Sequence, residues 1–312
     1  MGRRIRIWKP GASYHVTLQC IDRMFLLKPS DEVNQIIGAS LGRAVSRHPV
    51  RLHSAATNIN HMELVFSLNG DQLNNASSFL QLFECLVAKA LNRHYGREGH
   101  FWSSRARVEE IISDRKAEAL LGYGACNVVK DGLVEKAAHW TGFSTTEALS
   151  WGKALEFAYI DKTLWWKLGA DHREVDPSKY TKHVRIELEP LPGWEKLSES
   201  ERQKRFRQIV RDHEVEAETE RRAEGIAKVK GMSKIKQESP FSKPRHLRNR
   251  TPEPLCHAET DEEREIYEVE YREIVTAHRV ASAAYRSGHY DVEFPVGTFR
   301  PPLVTVFTVQ AA

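Results

Sequence analysis

The chain has 312 residues, of which 41% are hydrophobic and 28% charged, a composition typical of a soluble globular protein and not of a disordered or fibrous one. It carries 46 Lys and Arg against 42 Asp and Glu, a formal net charge of +4 at pH 7. No apolar run reaches the ~18 residues of a membrane span, and no secretory signal follows the charged N-terminus, so we expect a cytoplasmic protein. The four cysteines lack metal-site spacing and are expected to be reduced.

The first half of the chain alternates strand and helix patterns. Residues 13–20 alternate apolar and polar side chains with the period of two expected for a half-buried strand. Later stretches place apolar residues three and four apart, as on an amphipathic helix. The order βαββαβα predicts an α+β fold with a ferredoxin-like antiparallel sheet covered by helices. We predict strands over 13–20, 51–58, 62–68 and 105–112, and helices beginning at Asp31, after Asp71 and at Asp114.

The second half has a different character and is predicted to be mostly helical. Capping boxes, in which Ser or Thr precedes Glu by three residues, predict helices over about 198–228 and about 260–287. The tail at 294–309 is β-prone but interrupted by prolines, so we expect an extended segment packed on another element. Four aromatic residues are expected to form a small apolar helical cluster, namely Trp151, Phe157, Trp165 and Trp166.

A strongly basic segment separates the two long helices predicted in the second half of the chain. Residues 225–250 hold eight Lys or Arg against one Glu. Such a segment has little to bury and can follow a phosphate backbone, so it is either a solvated tether or an arm that contacts nucleic acid. We therefore predict a first domain over 1–150, a helical extension over 151–224, a basic linker over 225–250, and a C-terminal helix with an extended tail over 251–312.

The stretch 60–66, Asn-His-Met-Glu-Leu-Val-Phe, contains the first pair of candidate metal-binding residues. Residues two apart on a strand face the same side, so His61 and Glu63 project together while Met62 points into the core. One imidazole and one carboxylate on a shared face can hold a divalent cation. An ordinary strand with two polar side chains has the same pattern, so the pair alone leaves both interpretations open.

A second pair lies on the helix predicted after residue 114. Tyr123 and Asn127 are four residues apart and so occupy one face of a helix. Gly122 and Gly124 flank the tyrosine, and each weakens the helix by roughly 1 kcal/mol relative to alanine. A tyrosine that only packs would not need such neighbours, although a core aromatic is the alternative interpretation.

Several motifs within residues 3–143 together resemble the single-tyrosine HUH transposases, in particular the REP-associated tyrosine transposases of bacteria. Motifs in this order over one domain are far more specific than any one of them. They are an Arg-rich Ile-Trp-Lys-Pro-Gly segment, Tyr14-His15-Val16-Thr17, the Asn-His strand at 60–63, Gly99-His100-Phe101-Trp102 with Arg105 and Arg107, and Tyr123-x3-Asn127-x4-Gly132-Leu133-Val134.

The resemblance implies a nuclease and strand transferase that acts on single-stranded DNA, often at hairpin-forming repeats. Tyr123 is then the nucleophile, which attacks a phosphodiester and leaves a 5′-phosphotyrosine link and a free 3′-hydroxyl. His61, Glu63 and Asn127 are then the ligands of an Mg²⁺ or Mn²⁺ ion that polarises the scissile phosphate. The residues implied to contact DNA are Arg3, Arg4, Arg6, His15, Arg105, Arg107 and Lys130.

Glu63 departs from the family pattern, which has a second histidine at this position. Mg²⁺ and Mn²⁺ accept carboxylate oxygen readily, so the change is compatible with metal binding. The alternative is a domesticated, non-catalytic protein that binds single-stranded DNA hairpins.

Two further classes of protein are weaker alternatives. An RNA-binding ferredoxin-like module stacks bases on exposed sheet aromatics, whereas the strands here expose His61 and Glu63. An interaction protein built on the acidic C-terminal helix would depend on residues 251–312.

The expected partner of the protein is hairpin-forming single-stranded DNA. Binding to this DNA would place the protein at the nucleoid. The sequence is compatible with both a monomer and a homodimer.

Overall fold

The computed structural model describes residues 4–70, 73–167, 176–225, 228–244 and 254–302. Arg3, one of the predicted DNA contacts, lies outside the described residues. So do the last three arginines of the basic segment and the tail from residue 303 onwards.

The elements of the first half follow the predicted order. The strands are β1 (Ser13–Gln19), β2 (Arg51–Thr57), β3 (His61–Ser67) and β4 (Arg107–Ile111), and the helices are α1 (Asp31–Arg47), α2 (Leu73–His94) and α3 (Asp114–Lys130). Ser30 and Ser113 cap α1 and α3 by accepting a hydrogen bond from a backbone N–H three residues on. Helix α3 therefore begins at Asp114 as predicted, with Ser113 as its cap.

The second half is mostly helical but also contains strands. Its elements are α4 (Thr146–Trp151), β5 (Leu155–Ile160), α5 (Lys162–Lys167), β6 (Thr181–Ile186), α6 (Glu199–Ala223), α7 (Met232–Gln237), β7 (Cys256–His257) and α8 (Asp261–Arg286). Both predicted capping boxes are present, at the start of α6 and of α8. No helix of the described residues is long and apolar enough to cross a membrane.

Phe157 does not belong to a helical cluster, and that prediction is wrong. It lies on β5, which pairs antiparallel with β6. The partner strand begins some twenty residues further along the chain, so local periodicity could not reveal the pairing. The Phe157 ring packs so closely on α1 that a Cβ added at Gly38 would lie 2.3 Å from it.

The main sheet has the strand order β2-β3-β1-β4-β7. Its first four strands pair antiparallel, which confirms the α+β fold, and the short β7 adds to β4 in parallel, so that the whole sheet is mixed. The register aligns Thr17 of β1 with Glu63 on one side and Arg107 on the other. His15 is likewise aligned with Glu109.

The two faces of this sheet differ in chemistry. One face packs on α1 and α2 and is apolar, built from Tyr14, Val16, Leu18, Met62, Leu64 and Phe66. The other face carries alternate residues of the same strands and lies against α3, with His15, Glu63 and Glu109 buried there. Helix α6 packs on the outer side of α3, so closely that a Cβ at Gly122 would meet His213 at 2.1 Å.

His53 of β2 is buried with both ring nitrogens engaged. Nδ1 lies 3.0 Å from the carbonyl oxygen of Glu189, and Nε2 lies 2.9 Å from the hydroxyl of Ser67. A neutral ring satisfies both contacts, with Nδ1–H donating and Nε2 accepting. Burial lowers the pKa of His53 to about 4.

This histidine should make the fold sensitive to mild acid. Its pKa in the folded protein is lower than the ordinary unfolded value of about 6.5, so its contribution is complete above that pH and is lost as the pH falls towards 4. We expect the unfolding free energy to drop by about 2–3 kcal/mol from this residue between pH 7 and pH 4.5. Urea unfolding of the wild type and of His53→Gln at both pH values measures this drop in unfolding free energy. Exposed His100→Gln is the control, and equal pH responses in wild type and His53→Gln would contradict the assignment.

Candidate active site

A polar cluster fills the space between the sheet and α3. Antiparallel partners face the same side of a sheet, so the register of β1, β3 and β4 brings their polar residues together under this helix. β7, which pairs with β4, adds His257 from a distant part of the chain. The cluster consists of His15, His61, Glu63, Arg107, Glu109 and His257.

The three predicted metal ligands converge at one end of this cluster. The amide nitrogen Nδ2 of Asn127 lies 2.8 Å from Nε2 of His61 and donates to Oε1 of Glu63 at 3.2 Å. Nε2 of His61 and Oε1 of Glu63 are 3.8 Å apart. Strand β3 therefore supplies two of the ligands and α3 supplies the third.

The ring of His61 is oriented by the residue before it. Nδ1 of His61 lies 2.8 Å from Oδ1 of Asn60, whose amide nitrogen donates to the carbonyl of Arg23 at 3.3 Å. Oδ1 can only accept, so Nδ1 carries the proton and Nε2 directs its lone pair towards Asn127. Histidines that bind metals usually have such a partner on the other ring nitrogen.

Glu63 is a buried carboxylate with one oxygen that lacks a partner in the described part of the chain, as expected of a metal ligand. Its Oε2 is buried and has no hydrogen-bond partner among the described residues. Burial would raise the pKa of Glu63, but the nearby His15, His61 and Arg107 outweigh it and lower the pKa, so the group is a carboxylate. A buried carboxylate oxygen without a partner is rare, and a dication bound by oxygen and imidazole ligands fits it. The amide of Asn127 can turn its oxygen towards such an ion.

Tyr123 lies one helical turn before Asn127, and both line a cavity of about 230 Å³ between α3 and α6. The ring is partly exposed. Nζ of Lys130 lies 5.9 Å from the ring centroid and forms an ion pair with Glu220 of α6 at 2.7 Å. Of the two glycines beside Tyr123, Gly122 has a packing role because it admits α6, whereas a Cβ at Gly124 would make only an ordinary contact, 3.8 Å from Oε2 of Glu63.

A second group within the cluster joins His15, Glu109 and His257. Nδ1 of His15 lies 3.2 Å from Nε2 of His257 and 3.5 Å from Oε2 of Glu109, and the last two atoms are 3.3 Å apart. Burial would lower the pKa of His15, but the carboxylates of Glu109 and Glu63 raise it to about 9. Burial would raise the pKa of Glu109, but His15, His257 and Arg107 lower it to about 2. His15 was predicted to contact DNA, but its side chain is 3% exposed and belongs to this interior group.

Sequence reasoning did not identify Glu109 or His257. Glu109 shares a strand face with Arg107, so the alternation on β4 held a signal for it. His257 lies in a two-residue strand after the basic segment, which no periodicity can reveal.

The predicted DNA-binding arginines lie around β4, and Arg107 also belongs to the polar cluster, where its Nε is 3.4 Å from Oε2 of Glu109. Together with Tyr267 and Tyr271 of α8, four of them line a cavity of about 290 Å³, namely Arg4, Arg6, Arg105 and Arg107. Arg4 and Arg105 are exposed, whereas Arg6 is partly buried and donates to the carbonyl of Ala106. Burial lowers the pKa of Arg6 to about 10, and the guanidinium stays charged at neutral pH.

Comparison with known proteins gives matches among solved structures only. No family model matches the chain, and no curated protein matches it. The structure is similar to a REP-associated tyrosine transposase bound to a REP hairpin, with 19% identity over 46% of this chain and 82% of that chain, and a TM-score of 0.38. It is also similar to a candidate transposase from Deinococcus radiodurans R1, with 14% identity over 39% of this chain and 95% of that chain, and a TM-score of 0.29.

The contact between Asn60 and His61 gives a prediction that needs no DNA. Asn60→Ala removes the acceptor for Nδ1–H, so we expect the proton of the neutral ring to redistribute from Nδ1 to Nε2. Long-range ¹H–¹⁵N NMR of the His61 ring measures this distribution. Asn75→Ala, on the exposed start of α2, is the control, and an unchanged His61 tautomer in Asn60→Ala would count against the orienting role.

Proposed function

We propose that the protein is a metal-dependent nuclease and strand transferase that acts on single-stranded DNA, and thus a transposase, with hairpin-forming repeats as its substrate. One observation carries this proposal. Three potential ligands, His61, Glu63 and Asn127, converge beside α3, and Tyr123 lines the same cavity as Asn127 one turn away. The motif resemblance assigns these same residues to the catalytic centre.

The residues of this site would hold a Mg²⁺ or Mn²⁺ ion, which when bound polarises the scissile phosphate and stabilises charge on the leaving oxygen. Glu63 contributes a full negative charge where the family has a neutral imidazole. His61 presents an unprotonated Nε2 because Asn60 holds the proton on Nδ1. Asn127 would supply a neutral oxygen once its amide turns, and it lies on the same helix as Tyr123, which would fix the spacing between ligand and nucleophile.

Tyr123 is the proposed nucleophile. Its hydroxyl oxygen attacks the phosphorus, a bond to the 3′-oxygen breaks, and the products are a 5′-phosphotyrosine and a free 3′-hydroxyl that receives a proton. An incoming 3′-hydroxyl reverses these steps and restores the tyrosine. The phosphodiester energy is kept in the covalent link, so joining needs no external energy source.

The arginines of β4 and the N-terminal segment are proposed to hold the DNA backbone. Arg4, Arg6, Arg105 and Arg107 share one cavity, and guanidinium groups bind phosphate oxygens in bidentate geometry. Lys130 stands beside Tyr123 and is the proposed contact closest to the reacting phosphate.

Loss of the Tyr123 hydroxyl should separate chemistry from binding. Tyr123→Phe is expected to abolish the covalent adduct with a labelled single-stranded hairpin in Mn²⁺ while hairpin affinity changes less than about twofold, because one hydroxyl is removed from the side chain. A denaturing gel and a binding titration measure the two effects.

Tyr290→Phe, at an exposed position beyond α8, is the matched control and should form the adduct normally. An adduct that persists in Tyr123→Phe would remove this residue from the mechanism. Hairpin binding by the wild type with no adduct in Mg²⁺ or Mn²⁺ would favour the domesticated binder.

The arginine cavity predicts a measurable salt effect. Each phosphate neutralised on single-stranded DNA contributes about 0.7 to the slope of log affinity against log salt. Arg105→Gln should therefore lower hairpin affinity and reduce the slope by about 0.7. Arg185→Gln, on the exposed side of β6, should change neither, and an unchanged slope in Arg105→Gln would exclude Arg105 as a phosphate contact.

A further inference from the structure

The group His15, Glu109 and His257 plays no part in the proposed reaction, although it lies in the same cluster. Its three facing atoms form a nearly equilateral triangle, with separations of 3.2, 3.3 and 3.5 Å. Two of the side chains, His15 and Glu109, are almost fully buried. The third, His257, is partly exposed and lines the cavity that also contains Tyr123.

The size of this triangle favours one coordination geometry. Ligand atoms about 2.0–2.1 Å from a tetrahedral ion lie about 3.3–3.4 Å from one another. Neighbouring ligands of an octahedral Mg²⁺ at similar bond lengths lie about 2.9 Å apart. The observed separations match the tetrahedral case on all three sides.

Two buried atoms of the group lie outside the triangle and lack a hydrogen-bond partner in the part of the chain that the structure describes. Oε1 of Glu109 and Nε2 of His15 are buried without a hydrogen-bond partner among the described residues. If Nε2–H of His257 donates to Oε2 of Glu109 at 3.3 Å, Nδ1 of His15 can only share that same hydrogen at 3.2 Å between the nitrogens. One dication satisfies all three facing atoms at once.

We propose that His15, Glu109 and His257 form a second metal site that binds a tetrahedral dication of the Zn²⁺ type, with water in the fourth position. Two histidines, one glutamate and a water are a ligand set that suits Zn²⁺. The ion would tie the two-residue strand β7, and through it the start of α8, to the central strand of the sheet. This inference is independent of DNA cleavage.

The second site would also position the first. Nε2 of His15 lies 3.9 Å from Oε2 of Glu63. With Nδ1 bound to the cation, the proton of the neutral ring must sit on Nε2 and so face Glu63. His15 is in this way a positioning residue shared by two sites.

The test uses the full chain after removal of metals with a chelator, and Co²⁺ as a visible probe of tetrahedral geometry. The wild type should bind two Co²⁺ ions, one with the intense spectrum of a tetrahedral site. His61→Ala removes a ligand of the first site only and should keep that spectrum. His61→Ala combined with His257→Ala should lose it, with affinity reduced at least about tenfold to 100-fold, the effect of losing even an outer-shell partner.

His61→Ala combined with His183→Ala, an exposed histidine of β6, is the matched control and should keep the spectrum. His61→Ala combined with His257→Cys retains a zinc ligand and should still bind Zn²⁺. Binding by this variant would show that the loss of the tetrahedral spectrum in the double alanine variant comes from the missing ligand and not from a folding defect. A tetrahedral signal that survives His257→Ala would overturn the proposal, as would its absence from both wild type and His61→Ala. A single ion lost equally in His61→Ala and His257→Ala would show one site and not two.

Discussion

Two carboxylates buried on one face of the sheet, Glu63 and Glu109, impose the main constraint on this structure. A buried charge is tolerated only with opposite charge and hydrogen bonds around it, and breaking such a pair costs about 3–5 kcal/mol. His15 lies between them on the central strand, within 3.9 Å of one and 3.5 Å of the other. β3 and β4 flank β1, and β7 lies beside β4, so that His61, Arg107 and His257 complete the surroundings of these two groups.

Burial of the apolar face of the sheet offsets the free-energy cost of the buried charges on the polar face. Trp8, Tyr14, Phe66 and Phe79 pack edge to face or tilted against one another on the side of α1 and α2. A fully buried large apolar side chain contributes roughly 1.5–3 kcal/mol, so this side stabilises the sheet without help from the other. Helix α3 carries the candidate site residues Tyr123 and Asn127, and its Gly122 lies where the packing of α6 leaves no room for a larger side chain.

The pairs that share an element could be predicted from the sequence. His61 with Glu63 follows from the strand period, and Tyr123 with Asn127 follows from the helix period. That Asn127 of the second pair contacts both residues of the first pair was implied by the motif resemblance and not by either period. Glu109 needed the sheet register, which aligns it with His15 of β1. His257 needed a tertiary contact between segments almost 150 residues apart in the chain.

Access to Tyr123 depends on how α6 is held against α3. The close approach at Gly122, with Phe206 and Ala217 of α6 buried, makes displacement of the whole helix costly. The ion pair between Lys130 and Glu220 is different, because both side chains are partly exposed and such pairs contribute only about 0–1 kcal/mol. A phosphate offers Lys130 a charge-assisted hydrogen bond at least as favourable. In the proposed reaction, a DNA phosphate would therefore replace Glu220 as the partner of Lys130 by a local exchange, and α6 would remain packed while the DNA backbone reaches Tyr123.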